Sequence, residues 1–148
     1  MNTSKNAPMD EFKQALKKHS LKATPQRLAV HEAMLALGHA SADMVTEYVL
    51  QETESKVTIA SVYNILTQLA ELGIYSHRMT PNNKMYFDVN TFKHLHLYDS
   101  VNHTLTDVMD EELLEMIEAH LKKRRFRGYS VDNIEIQLIA HPTRRKIV

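Results

Sequence analysis

The chain has 148 residues, 43% of them hydrophobic, and its 18 basic side chains balance its 18 acidic ones. That length can bury a real core as one domain or two small ones, while no apolar run approaches a membrane span and Met1 to Pro8 is polar, so a cytoplasmic protein is expected. There are no cysteines and nine histidines, which excludes a disulfide framework and a thiolate-held zinc and leaves imidazole and oxygen donors to bind any metal.

After the polar arm, Met9 to His19 carries Phe12, Ala15 and Leu16 at helical spacing among lysines and reads as a short amphipathic helix. Thr24-Pro25 is a strong start signal, an N-cap followed by a proline whose fixed φ suits the first turn; this helix bears Leu28, Val30, His31, Met34, Leu35 and Leu37 and ends at Gly38. Ser41 opens a second helix (Met44, Val45, Tyr48, Val49). Thr58 opens a third (Ile59, Val62, Ile65, Leu66, Leu69, Leu72) that stops at Gly73. The period then changes to two. Ile74–Met79 and Lys84–Asp88 flank Thr80-Pro81-Asn82-Asn83, a turn by composition. Helices followed at once by a hairpin outline a winged helix-turn-helix domain, residues 1–88, in which the last helix enters the major groove.

Residues 89–148 form a second unit. His94–Asp99 and His103–Val108 read as strands, Asp110–Lys123 as a helix, and Asn133–Ala140 as a last, alternating strand. Acidic residues open the helix and Lys122, Lys123, Arg124 and Arg125 close it, each complementing the helix dipole, so the basic cluster needs no nucleic acid to explain it. So small a unit has little with which to cover its sheet, and pairing with a second copy in a homodimer is the economical solution. The expected class is α+β: an N-terminal winged helix plus a small C-terminal α/β dimerisation domain.

Within the second unit, His94 and His96 stand two residues apart in an apolar frame, with Asp88 and Asp107 to either side. In a strand they share one face. Two imidazoles with nearby carboxylates suit zinc, iron or manganese, although an H-x-H alone also fits the wet side of a hairpin.

The succession L-K-A-T-P-Q-R (Leu21–Arg27), H-A-S-A-D (His39–Asp43), T-I-A-S-V-Y-N-I-L (Thr58–Leu66), L-A-E-L-G-I (Leu69–Ile74) and H-L-H resembles the ferric uptake regulator (Fur) superfamily over Asp10 to Ala140. The resemblance implies a DNA-binding winged helix, a dimerising α/β domain and a regulatory divalent metal between them. Carried onto this chain, its ligands would be His39, Asp88, His94, His96 and Asp107, holding one Fe(II) or Mn(II), or Zn(II), per subunit. Three neutral imidazoles and two carboxylates bring a divalent ion close to electroneutrality. The cysteine pairs with which many members hold a structural zinc are replaced, the first by Asp99 and Asn102, the second around Pro142. A further family metal site is also unsupported, since Lys93 and Leu95 flank the central histidines.

Tyr63-Asn64 stands where the family commonly has Tyr-Arg, a variant resembling the peroxide-sensing PerR-type branch, which also tends to have aspartate at the position of Asp107. In that branch peroxide oxidises a ligand histidine, here His39 or His94, and releases metal and DNA. Sensing of iron, manganese or zinc without peroxide chemistry is the alternative.

Ser61, Tyr63, Asn64 and Gln68 lie on one side of the third helix, opposite its core positions. Tyr meets thymine methyls or phosphate and Asn reads adenine, so the expected partner is an A/T-rich, palindromic double-stranded operator. Lys22 and Arg27 are expected at phosphate or the minor groove, with Arg78 and Lys84 on the wing. The neutral total hides this face: in residues 1–27 six basic side chains meet only Asp10 and Glu11. A metal hydrolase is the competing class, but it needs an open metal position and a base in a pocket, and no second acidic or glycine-rich cluster supplies one.

Overall fold

A computed structural model describes residues 7–89, 95–132 and 134–144 and divides the chain into two compact units, Met1–Thr91 and Phe92–Val148.

In the first unit the sequence signals act where they stand. Helix α1 (Ala7–Lys18) is followed by α2 (Pro25–Leu37), whose N-cap Thr24 accepts the Arg27 N–H and whose end is turned by Gly38 at φ 79°, a conformation that costs a Cβ-bearing residue most. Gly38 runs straight into a two-residue strand, β1 (His39–Ala40), which was not expected from the sequence. Ser41 caps α3 (Ala42–Glu52). Thr58 and Ser61 close a reciprocal capping box on α4 (Ile59–Glu71), with Ser61 in the place more often filled by Glu or Gln. Strands β2 (Ser76–Met79) and β3 (Met85–Asp88) make the expected hairpin, its turn carrying Asn83 at φ 62°.

The sheet order is β1-β3-β2, all antiparallel, so β1 completes the wing on its inner edge. Under it, Leu16, Val30, Met34, Val45, Val49, Val62, Leu66, Leu69 and Phe87 form one buried cluster across α1 to α4 and β3. Each such side chain contributes about 1.5–3 kcal/mol of burial, which fixes the helices far more firmly than their propensities could.

The second unit has β4 (Leu95–Asp99), β5 (Thr104–Val108), α5 (Glu111–Lys122) and β6 (Gln137–Ala140), in sheet order β5-β4-β6. β4 runs antiparallel to β5 and parallel to β6. Asp110 is the N-cap of α5 rather than its first residue, and only the last four residues of the expected final strand pair. The β4–β5 turn is tied by Asp99, whose Oδ1 accepts from the backbone N–H of Val101 and Asn102 at 2.8 and 3.0 Å while Oδ2 accepts from the Asn102 side chain. Those bonds, the Asn102 amide first, hold the Asp99 carboxyl below its usual range. A carboxylate thus organises the loop without metal. No described helix is long and apolar enough to cross a membrane.

Candidate metal centre and nucleic-acid interface

Each unit carries one histidine–carboxylate pair fixed by strand register. In the first, β1 sets His39 directly opposite Asp88 of β3, and a ligand atom of each lies within 4.8 Å of the other. Asp88 is buried and His39 is partly exposed, so the pair opens at the edge of the wing sheet. The Tyr86 ring meets the His39 ring edge-on, with centroids 6.4 Å apart.

In the second unit, β4 sets His96 opposite Asp107 of β5, with His96 Nε2 3.1 Å from Asp107 Oδ1. His96 is fully buried, whereas the Asp107 side chain keeps 33% of its exposure. A histidine on the wet side of a hairpin would not look like this. His94, its expected companion, lies outside the described residues. An imidazole beside a carboxylate in each unit, with one member of each pair buried, fits a borderline divalent ion, which takes just these donors.

The eight residues expected to meet DNA divide sharply. Lys22, Tyr63, Asn64 and Lys84 are exposed. Tyr63 stacks edge-on against Phe87 of the wing with centroids 6.4 Å apart yet keeps 45% of its surface, so its ring is braced and its hydroxyl end is accessible. Lys84 approaches Asp43 at 3.7 Å, an exposed pair worth about 0–1 kcal/mol and no obstacle to a phosphate.

The other four are committed elsewhere. The Ser61 hydroxyl accepts from the Thr58 N–H and donates to the Thr58 carbonyl, so it is spent on the cap. Arg78, expected at phosphate on the wing, is buried: its register partner on β3 is Tyr86, on the face of the wing sheet opposite Phe87 and Ala40. Arg27 donates to the Lys22 carbonyl and to Gln68, so neither Arg27 nor Gln68 hangs loose toward solvent.

The sequence also concealed a buried polar stack. His31 lies face to face on Phe12 at 3.9 Å and its Nδ1 meets the Tyr75 hydroxyl at 2.7 Å. Burial lowers the His31 pKa to about 4, partly opposed by the Pro8 carbonyl, and pushes the Tyr75 phenol above its ordinary value. The bond therefore joins a neutral phenol to a neutral imidazole. Helical periodicity marked His31 as inward-facing, but nothing in the sequence named its partners.

A four-helix core with a hairpin wing, followed by a small sheet-and-helix unit, defines a winged-helix domain with an appended α/β domain. The chain belongs to the ferric uptake regulator family, whose sequence profile matches residues 18–138. The peroxide-responsive repressor PerR of Staphylococcus epidermidis is 27% identical over 90 residues, a match spanning 60% of this chain and 59% of that protein's length. Among solved structures, the Vibrio cholerae ferric uptake regulator superposes with a TM-score of 0.74 at 22% identity, covering 88% of this chain and 99% of that one. The Campylobacter jejuni peroxide stress regulator superposes with a TM-score of 0.66 at 29% identity, covering 89% and 96%. The α+β class and the winged-helix reading stand on these likenesses.

Proposed function

We propose that the protein is a homodimeric, metal-dependent transcriptional repressor, and that His39, Asp88, His94, His96 and Asp107 hold one divalent ion per subunit. The observation that carries this is the pairing of histidine with carboxylate by register in both units, His39 with Asp88 and His96 with Asp107. The two pairs offer four donors of the kinds such an ion takes. Metal occupancy then selects the DNA-binding state on a palindromic operator.

Homodimerisation is supported by the second unit itself. No residue of α5 is buried, Met116 is exposed, and Leu138 and Ile139 are both exposed on neighbouring positions of β6. A second copy supplies the missing cover.

The signal proposed is hydrogen peroxide. The Tyr63-Asn64 pair and Asp107 support it, as do the likenesses to two peroxide-responsive regulators. Ferrous iron held by these residues would activate the peroxide; in the net reaction hydrogen peroxide is the two-electron oxidant, one of its oxygen atoms enters the imidazole of His39 or His94 and the other leaves as water. Mass spectrometry of iron-loaded protein after a peroxide pulse should find one added oxygen on a peptide containing His39 or His94, together with lost operator binding. An unmodified protein that releases DNA only on chelation points instead to iron, manganese or zinc sensing, which a family likeness alone also allows.

A further inference from the structure

Arg27 stands in the first turn of α2, and its guanidinium joins three pieces of the first unit. Nη1 donates to the Lys22 carbonyl at 2.9 Å, and Nη2 donates to Gln68 Oε1 at 3.2 Å, 41 positions away on α4. The loop before α2, the start of α2 and the second half of α4 are therefore held by one planar cation. Arginine is suited to this because its donors sit in a rigid fork that lysine lacks.

The chemistry also orients Gln68. Arginine carries donors only, so the group Gln68 turns to it must be the carbonyl oxygen, and the remaining edge of the carboxamide is the NH2. The charge for the DNA backbone is available next door, on the exposed side chain of Lys22, whose own carbonyl Arg27 fixes.

We propose that Arg27 is a positioning residue and not a phosphate ligand: it holds α4 at the angle from which Tyr63 and Asn64 meet base edges, and it makes Gln68 a hydrogen-bond donor toward DNA, to a phosphate oxygen or a purine N7. This rests on α4 being the recognition helix. It sharpens that reading into a specificity statement, because a Gln68 whose carbonyl is engaged is not set up for the two-bond reading of adenine, which uses both edges of the amide.

The test uses a duplex that the Mn(II)-loaded parent protein enriches from a randomised pool, with affinity followed by fluorescence anisotropy over a salt series. Arg27→Gln and Gln68→Ala should each weaken binding about tenfold, the worth of one charge-assisted bond. The double variant should be no weaker than the worse single, because both remove the same link. The slope of log affinity against log salt should stay that of the parent in Arg27→Gln, while Lys22→Gln flattens it by about 0.9. Additive losses, or a slope flattened by about 0.9 in Arg27→Gln, overturn the proposal and make Arg27 a phosphate ligand. If Arg27→Gln does not fold, nuclear magnetic resonance of the free protein decides: slow exchange of the Arg27 guanidinium protons should be lost in Gln68→Ala, and exchange unchanged by that substitution refutes the link. A parent that enriches no duplex overturns the recognition-helix reading itself, a result distinct from either.

Discussion

His31 shows how a single side chain can be read correctly for burial and still conceal its chemistry. Its ring is sandwiched between Phe12 and the Tyr75 hydroxyl, in the neutral form that burial enforces. Its pKa in the folded protein, about 4, lies below the ordinary value of 6.5, so the unfolded chain binds the extra proton first. The stability this residue contributes is fully present above pH 6.5 and is lost as pH falls toward 4, with a slope approaching 1.4 kcal/mol per pH unit. Thermal melts of the parent and of His31→Phe between pH 7 and 4 check this: the parent curve should fall more steeply, and parallel curves would remove His31 from the pH dependence. The charged residues divide by the same local logic. Arg78 is buried on the Tyr86 face of the wing sheet, whereas Lys84, past the turn, is exposed.

At the scale of elements, the caps and glycines carried most of the information. Thr24-Pro25, Ser41 and Thr58 begin α2, α3 and α4, and Gly38 and Gly73 mark chain reversals with φ near 80°. These were legible because each is a local event, decided by hydrogen bonds within a few residues. β1 was not legible, for a physical reason: two residues cannot show a period of two, and His39 becomes a strand residue only because β3 offers it an edge. The same holds for the final strand, where the alternation of Ile134, Ile136 and Leu138 extends beyond the four residues that pair with β4. The proposed ligand positions therefore rest on resemblance, while the reason that His39 faces Asp88 comes from the sheet. The α4 packing face is the firmest element-level expectation. Leu66→Ala should cost about 3 kcal/mol, since Leu66 is fully buried among α-helical neighbours and leaves a cavity. Urea unfolding would measure it, and a loss under about 1 kcal/mol would mean the core closes around the gap.

On the scale of the whole molecule, the two units solve different problems. The first is self-sufficient, with a continuous core from Phe12 to Phe87. The second buries Leu95, His96, Tyr98 and Leu105 in its sheet but leaves α5 uncovered, the mark of a domain completed by a partner. His96 is fully buried in that sheet with the partly exposed Asp107 beside it, and the Asp99 turn is closed by its own hydrogen bonds.

The most direct measurement is calorimetric titration with Mn(II) of the parent protein and of His39→Ala and Asp107→Ala, one substitution in each unit. The parent should take up close to one ion per chain, and both variants should bind at least about 10–100-fold more weakly, a loss that even outer-shell partners of a metal produce. Saturable uptake that Asp107→Ala abolishes and His39→Ala leaves untouched would contradict a ligand set that includes both residues.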